Sequence, residues 1–277
     1  MFQGLDGMRV RATITIKKDL LEQVDRLVDG TAIRSRSQAM ESLLSRILSD
    51  FRLNQALVLA GGRKSEMLWN GRPKFLEKIK DKALLETVMN SIHEFNVNNF
   101  LVYVDSNADE ISSAVKSKSL PYSVDFIEGD RPTGTISPLL KAKARLKDTF
   151  LVAYGDTITS INLNDMLSFH RKNKAIATVA LTTVSNPKKY GVATLEGNNI
   201  VDFVQKPTKN VQSYLVNAGY FIFEPEIFKY VSRNMENIER DLFPKLAEKR
   251  LLFGYPFQGV YLNVNSREDI RKAEILL

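Results

Sequence analysis

The side chains that could carry chemistry in this sequence are few in kind. Cysteine is absent, which excludes disulfides, thiolate nucleophiles and cysteine-ligated zinc. Imidazole chemistry is limited to His93 and His170, and both fall in predicted helices, where surface or packing roles are favoured. The remaining feature is a formal charge of +7. It suits a polyanionic partner, either DNA phosphates or the diphosphate of a nucleotide, and does not separate the two.

Length and composition set the broad class. At 277 residues, the chain has room for one large domain or for a small module and a larger domain. It is 44% hydrophobic and 26% charged, and it has no apolar run near the roughly 20 residues that a spanning helix needs. No signal-peptide pattern is present. We therefore expect a cytoplasmic protein with no membrane partner.

The start of the chain has the pattern of a short strand. Residues 9–16 alternate strictly between apolar and polar side chains, which predicts a half-buried strand. Residues 1–8 lack periodicity and are predicted to be a disordered start. The polar face of the strand presents Arg11, Thr13 and Thr15.

Two helical patterns follow this strand, and Gly30 separates them. The second begins with a capping box, in which Ser35 is the N-cap and Gln38 reaches back. A strand and two helices in about 45 residues cannot bury their apolar faces alone, because a module this small needs a disulfide, a metal or a partner chain. We therefore expect a homodimer or a higher even oligomer, with the two strands paired antiparallel as a ribbon.

A different pattern begins at Ala56, after a short polar link. Buried runs typical of strands alternate with helical stretches, and these runs are ALVLA, FLVYV, SVDFIEG, TFLVAYGD and AIATVALTTV. The alternation predicts an α/β domain with a Rossmann-like, mostly parallel sheet and helices on both faces. We place this domain at residues 56–277.

The segment RATITIKKDLLEQVDRLV and the following GTAIRSRSQAMESLL resemble the ribbon-helix-helix family of DNA-binding proteins, across residues 9–52. The resemblance implies an intertwined dimer whose ribbon lies in the major groove of double-stranded DNA. The base-reading positions correspond to Arg11, Thr13 and Thr15, and the phosphate-binding helix start corresponds to Ser35, Arg36 and Ser37. The alternative is that this module only dimerises the chain.

From Ala56 onward the chain looks like a nucleotidyltransferase of the sugar-nucleotide pyrophosphorylase type. The motifs that carry this resemblance are LAGGRKSEML (59–68), RPKFL (72–76), PTGTISPL (132–139), FLVAYGD (150–156), YGVATLEGNNIVDFVQKP, LVNAGYFIF and the segment that begins RDLFPKLAEK. In such enzymes a sugar 1-phosphate oxygen attacks the α-phosphorus of a nucleoside triphosphate, and pyrophosphate leaves. The protein positions the reactants and neutralises developing charge.

The resemblance also assigns the site. Nucleotide or sugar contacts fall on Gly61, Gly62, Lys74, Gly134, Thr135, Asp156, Gly191, Lys206 and Asn217. If the domain is active, Lys74 and Asp156 are its implied catalytic residues. Lys74 would then reach a phosphate, and Asp156 would be the ligand of Mg²⁺, the cofactor that activity requires.

Three positions depart from the family's pattern. Glu66 stands where the family has its catalytic arginine, Gln205 replaces a carboxylate before the sugar-side lysine, and Asn263 replaces a second magnesium aspartate. Each change removes or reverses a charge, and a carboxylate aimed at a triphosphate repels it. We therefore expect binding without turnover, although Arg63 or Lys64 could compensate from the same loop.

These observations favour a sequence-specific DNA-binding transcription regulator whose degenerate nucleotidyltransferase-like domain senses a nucleotide or nucleotide sugar. The alternative is an active sugar-1-phosphate nucleotidyltransferase with a dimerising or autoregulatory DNA-binding module. A third reading is an antitoxin-like DNA-binding protein whose large domain binds a protein, against which the persistent ligand-side motifs argue. A fourth is a large domain that only enlarges the dimer.

Overall fold

The computed structural model describes residues 11–50, 52–105, 107–129, 134–209, 211 and 213–277. The chain divides into two compact units, Met1–Asp50 and Phe51–Leu277. The predicted start at residues 1–8 lies outside the described residues. The predicted domains at 9–52 and 56–277 stay predictions.

The N-terminal unit contains two helices, α1 (Lys18–Asp25) and α2 (Arg36–Asp50). Ser35 caps α2 as the spacing predicts, because its Oγ accepts a 3.2 Å hydrogen bond from the third residue of the helix. Arg36 donates from Nε and Nη2 to the carboxylate of Asp25, at 2.6 and 2.7 Å. These hydrogen bonds lower the pKa of Asp25. The pairing competes with the phosphate contact that we expected of Arg36.

The strand predicted at residues 9–16 is not formed over its described part, where residues 11–17 take no regular structure. A β-strand requires hydrogen bonds to a neighbouring strand, and the predicted neighbour is the same segment of another copy. The ribbon-helix-helix fold is therefore not shown. Ile14, on the predicted apolar face, is 62% exposed. The side chains predicted to contact DNA are also exposed: Arg11, Thr13, Thr15, Ser35, Arg36 and Ser37.

The large unit is built around a nine-stranded sheet. The strands of the whole large unit, in chain order, are β1 (Gln55–Leu59), β2 (Leu68–Trp69), β3 (Arg72–Pro73), β4 (Lys78–Ile79), β5 (Lys82–Ala83), β6 (Asn99–Val104), β7 (Ser123–Glu128), β8 (Phe150–Tyr154), β9 (Thr157–Thr159), β10 (Ala177–Thr183), β11 (Gly191–Glu196), β12 (Asn199–Gln205), β13 (Leu215–Phe223), β14 (Leu252–Pro256) and β15 (Tyr261–Asn263). The order in the large sheet is β10-β14-β12-β11-β13-β8-β1-β6-β7, and the remaining strands form the pairs β2–β3, β4–β5 and β9–β15.

Helices and single turns connect these strands. The helices are α3 (Lys64–Met67), α4 (Leu84–His93), α5 (Ala108–Lys116), α6 (Ile136–Ala142), α7 (Leu163–Lys172), α8 (Phe243–Glu248) and α9 (Arg267–Leu276). Turns of 3₁₀ helix occupy Lys74–Leu76, Pro187–Lys189 and Pro225–Lys229, and a π-helical turn occupies Ile238–Leu242. Within the described ranges, no helix has the length and apolar character that crossing a membrane requires.

The sheet is mixed in strand direction. Strands β7, β6, β1 and β8 run parallel, while β13 runs antiparallel to β8 and a turn at Gly197 folds β11 back onto β12. The expected α/β architecture is confirmed. The sheet is less uniformly parallel than expected, because β12 and β13 run against the other seven strands and four of the eight neighbouring pairs in the sheet order are antiparallel. β1 lies between β6 and β8, where the order of connection reverses. In α/β sheets, ligands bind at the carboxyl ends of the strands beside such a point.

Apolar side chains cover both faces of the sheet, and β1 shows this alternation. Ala56 and Val58 belong to one buried cluster, while Leu57 and Leu59 belong to the other. The two histidines have packing roles in α4 and α7, as expected. His170 is fully buried, with Nδ1 2.7 Å from a threonine hydroxyl, and the His93 ring packs on a tyrosine.

Phe243 in α8 packs into the same buried cluster as Leu57 and Leu59, and its substitution tests this packing. It is fully buried and contacts two other phenylalanine rings edge-on, each at 5.1 Å between centroids. We expect Phe243→Ala to lower the free energy of unfolding by about 3–5 kcal/mol, because it leaves a cavity. Tyr214→Ala, at a side chain that is 60% exposed, should change it by less than about 0.5 kcal/mol. Urea titration measures both, and equal stabilities would contradict the assignment.

Candidate active site

A cavity of about 1460 Å³ opens at the carboxyl ends of β1, β6 and β8. It exceeds the roughly 300–1,000 Å³ of typical small-molecule pockets, so it has room for a large ligand or for two smaller ones. Every predicted nucleotide or sugar contact lines it: Gly61, Gly62, Lys74, Gly134, Thr135, Asp156, Gly191, Lys206 and Asn217. The structure therefore brings together residues that are spread over more than half of the sequence.

Gly61 and Gly62 line the cavity directly after β1. The Gly62 N–H donates to Asp105 Oδ1 at 2.9 Å, and a Cβ on Gly61 would lie 2.8 Å from Asp105 Oδ2. A glycine is therefore needed for this close approach. The sequence analysis missed Asp105, although its position directly after β6, at the same sheet edge, was a usable signal.

Lys74 and Asp156 form the central ion pair of the site. Lys74 Nζ lies 2.6 Å from Asp156 Oδ2, and the lysine side chain is only 2% exposed. The lysine comes from the 3₁₀ turn after β3, and the aspartate follows β8 by two residues. A buried ammonium needs a close anion because desolvation penalises the charged form. The predicted phosphate-binding cation and the predicted metal ligand are thus direct partners.

Asn263 lies at the end of β15, which pairs with β9 beside Asp156. The backbone N–H of Val264 donates to the Asp156 carbonyl at 2.8 Å, which fixes the two segments together. The Oδ1 atom of Asn263 is buried and accepts no hydrogen bond among the described residues. Such a group costs about 1–3 kcal/mol when it is left unsatisfied. Because Asn263 also lines the cavity, its orphaned amide oxygen is a candidate ligand for a cation bound there.

These oxygen donors fit Mg²⁺. In the part of the chain that the structure describes, no group of three or more His, Cys, Asp or Glu side chains could hold a metal. Mg²⁺ does not need such a cage, because it commonly binds one or two protein carboxylates together with substrate phosphates. Asp156 and the amide oxygen of Asn263 match that requirement.

The sugar-side residues lie where β11, β12 and β13 reach the cavity. A Cβ on Gly191 would lie 2.4 Å from the ring of Phe203, so no larger residue fits there. Lys206 has a φ of +48°, and its N–H donates to the Tyr190 carbonyl at 2.9 Å. This left-handed conformation is uncommon for a non-glycine residue, and such residues cluster at ligand sites.

The base-side residues are engaged with the protein itself. Gly134 has a φ of +75°, and a Cβ there would lie 2.3 Å from the Glu236 carbonyl oxygen. Thr135 Oγ1 accepts a 2.7 Å hydrogen bond from the Ile238 N–H. Packing against the segment before α8 therefore explains why a glycine and a threonine occupy these two positions. Their predicted contact with a ligand stays a prediction. Pro132 and Thr133 of the same motif lie outside the described residues.

The positions that depart from the family's pattern also lie at the cavity. Glu66 in α3 and Gln205 at the end of β12 are exposed and line it. Arg63 lines the cavity too, so a cation lies in the same loop as Glu66. The side chain of Lys64 lies outside the described residues.

The sequence analysis did not identify one buried carboxylate at the cavity, that of Glu239. Glu239 lines the cavity and is 5% exposed. Burial raises its pKa, although the hydrogen bond from the Tyr154 hydroxyl opposes this. Burial also raises the pKa of Tyr154 well above its ordinary value. Tyr154 lies within the motif FLVAYGD, but no motif marked Glu239, because its importance depends on contacts between distant parts of the chain.

Comparison with known proteins gives consistent results. The family model described as "Nucleotidyl transferase" matches residues 55–261. The mannose-1-phosphate guanylyltransferase catalytic subunits beta of Danio rerio and Dictyostelium discoideum are 29% and 28% identical, and each match covers 78% of this chain and 62% of the relative. HddC from Yersinia pseudotuberculosis has a similar fold, with a TM-score of 0.69 and 20% identity over 80% of this chain and 99% of that one. The chain thus spans about 62% of the length of these curated relatives.

These findings overturn our expectation of a DNA-binding transcription regulator with a sensor domain. The relatives are named as transferases, and the matched family covers most of the chain. Double-stranded DNA as a partner is not supported, and the ribbon-helix-helix assignment is not confirmed. On the family match over residues 55–261, this chain belongs to the nucleotidyl transferase family.

Proposed function

We propose that this chain transfers a nucleotidyl group from a nucleoside triphosphate to a sugar 1-phosphate and releases pyrophosphate. One observation carries the proposal: Lys74, Asp156 and the orphaned oxygen of Asn263 meet in one cavity with room for both substrates. GTP and mannose 1-phosphate are the first pair to test, because the curated relatives are named mannose-1-phosphate guanylyltransferases.

The reaction depends on positioning and on charge neutralisation. An oxygen of the sugar phosphate forms a bond to the α-phosphorus, and the bond from that phosphorus to the pyrophosphate oxygen breaks. Lys74 would place its cation against the phosphates, where a low-dielectric surrounding strengthens the attraction. Gly61 and Gly62 would let the backbone approach the nucleotide, and Lys206 would attract the sugar phosphate. Holding both reactants in one cavity removes much of the entropic cost of their encounter.

Asp156 and Asn263 would hold Mg²⁺. Bound there, the ion neutralises charge on the triphosphate and on the leaving pyrophosphate. Lys74 contacts Asp156 through Oδ2, so the lysine would orient the carboxylate and Oδ1 takes no part in that ion pair. Asn263 is a neutral ligand, which predicts weaker metal binding than a second aspartate would give.

Glu66 does not exclude this activity. It is exposed, so water screens its repulsion, and at about 4 Å two unit charges in water interact by only about 1 kcal/mol. Arg63 in the same loop supplies the opposite charge. On these grounds Glu66 would lower the activity by less than the sequence analysis assumed.

The N-terminal unit would serve to dimerise the enzyme. Large apolar side chains in it are exposed, and these are Ile14, Leu20, Leu27 and Leu44. A unit of this size buries too little apolar surface on its own to be stable. Pairing with a second copy would cover these residues.

Removal of the metal-binding carboxylate tests the activity. We expect pyrophosphate release from GTP and mannose 1-phosphate to require Mg²⁺, and Asp156→Asn to lower kcat by about 100-fold or more. The control is Asp125→Asn, an exposed aspartate outside the cavity that pairs with Arg145 at the surface. It should keep the wild-type rate, since surface pairs contribute little. Activity that survives chelation of Mg²⁺ would contradict the assignment.

Substitution of Asn263 tests the metal site by strengthening the predicted binding of Mg²⁺ instead of removing it. Asn263→Asp should lower the Mg²⁺ concentration for half-maximal activity by about tenfold, because an anionic ligand replaces a neutral one. Asn263→Ala should raise that concentration. Titration of Mg²⁺ at saturating substrate measures both effects, and an unchanged midpoint in the two variants would remove Asn263 from the metal site.

The dimerisation proposal predicts that Ile14→Lys yields monomers, because the substitution places an unpaired charge in the shared apolar surface. Sedimentation velocity measures the change. Ile275→Lys is the matched control, since Ile275 in α9 is 85% exposed and should tolerate the charge. If Ile14→Lys remains dimeric, the large units associate by themselves.

A further inference from the structure

Glu239 is a buried carboxylate whose position is unusual. It is 5% exposed, faces the cavity and lies in the π-helical turn Ile238–Leu242 before α8. Turns of π helix are rare and occur frequently at functional sites. The proposed transfer reaction, as derived above, gives this side chain no role.

Three hydroxyl or amide donors from three different elements converge on this carboxylate. Oε1 of Glu239 accepts from the Tyr154 hydroxyl at the end of β8. The same oxygen accepts from Asn217 Nδ2 in β13, at 3.5 Å. Thr135 Oγ1 before α6 donates to Oε2 at 3.3 Å. The backbone N–H of Glu239 also donates to the carboxylate. The roughly four acceptor positions of a carboxylate are therefore occupied, and a ligand can bind there only by replacing one of these donors. The contact from Asn217 is at the long limit of a hydrogen bond, so a ligand hydroxyl can replace it.

The negative charge of Glu239 has no purely structural explanation. Among the residues that the structure describes, no lysine or arginine pairs with it, although the charge of Lys206 acts on it at longer range. Burying a carboxylate away from a cation is costly. A glutamine of the same shape would accept from Tyr154 through its one oxygen, and its Nε2 could donate to Thr135 Oγ1, without that cost. The carboxylate is therefore suited to binding something other than its protein neighbours.

The charge also limits which part of a substrate can lie there. Phosphate oxygens are anionic and would be repelled at this distance. Sugar hydroxyls are neutral donors, and a carboxylate accepts strong hydrogen bonds from them. Two neighbours of Glu239, Asn217 and Lys206, are predicted sugar-side residues, while Thr135 lies on the predicted base side. Gln205 in the sugar-side region carries no negative charge. A ring hydroxyl of the sugar is the group that this environment favours.

We infer that Glu239 accepts a hydrogen bond from a ring hydroxyl of the sugar and thereby determines which sugar 1-phosphate the enzyme accepts. This assignment rests on the proposed function and adds a specificity-determining residue to it.

Calorimetric binding of GDP-mannose and of GDP tests the assignment, because the two ligands differ by the sugar. We expect Glu239→Gln to weaken the affinity for GDP-mannose by about ten- to a hundredfold and to leave the affinity for GDP unchanged. Glu226→Gln, at an exposed carboxylate outside the cavity, is the matched control and should change neither. Equal weakening of both ligands would indicate a structural role and overturn the assignment, as would unchanged affinities.

A second measurement removes the hydroxyl from the ligand instead of the carboxylate from the protein. One member of a series of GDP-deoxymannoses should bind the wild type about tenfold more weakly than GDP-mannose, and Glu239→Gln should show no further loss with that compound. Additive losses would overturn the assignment. If circular dichroism shows that Glu239→Gln is unfolded, Glu239→Asp, which keeps the charge and withdraws it by one methylene, takes its place with the same expectations.

The binding assay also separates this assignment from the proposed function. If the wild type releases no pyrophosphate from any nucleoside triphosphate and sugar 1-phosphate, the proposed function fails. A selective loss of GDP-mannose affinity in Glu239→Gln would still support the sugar contact. If turnover is found and the GDP-mannose and GDP affinities respond equally, the function holds and the assignment of Glu239 is wrong.

Discussion

A lysine that is 2% exposed needs an anion at hydrogen-bond distance to offset the cost of its burial, and Asp156 is that anion. The pair joins the turn after β3 to the end of β8. It holds the predicted phosphate-binding cation and the predicted metal ligand in one orientation. Loss of either partner would leave a buried charge without compensation, which is costlier than loss of the attraction itself. The rest of the cavity is arranged around this contact.

The end of β8 extends this arrangement in two directions. Asp156 accepts a hydrogen bond from the Val264 N–H through its carbonyl, which brings Asn263 to the metal side. Two residues earlier, Tyr154 donates to Glu239, the proposed sugar contact. A single strand terminus would thus position groups for both proposed substrates. This explains why residues that are distant in sequence meet in the same cavity.

Features that depend on local pattern were predictable from the sequence. The buried apolar runs indicated β1, β6 and β8. The motif RPKFL predicted that Lys74 belongs to the ligand site, and Lys74 lines the cavity. Features that depend on distant contacts were not predictable. Strand directions in the second half of the sheet follow from pairings that no local pattern encodes. Glu239, between an apolar and a basic residue, has the pattern of a solvated helix position, and only its contact with Tyr154 shows that it is buried. The regulator interpretation rested on the ribbon-helix-helix resemblance of residues 9–52, and it was wrong because the relatives of the chain are named as transferases.

The close contact at Gly134 has a consequence for the energetics of ligand binding. The Ile136 N–H donates to the Glu236 carbonyl at 2.9 Å, and the Ile238 N–H donates to Thr135 Oγ1 at 2.7 Å, so backbone segments 134–136 and 236–238 are joined directly. No side chain separates them at Gly134. Two stretches of the cavity wall are therefore ordered before any ligand arrives. Binding then loses little conformational entropy in this part of the site, and more of the interaction energy remains as affinity.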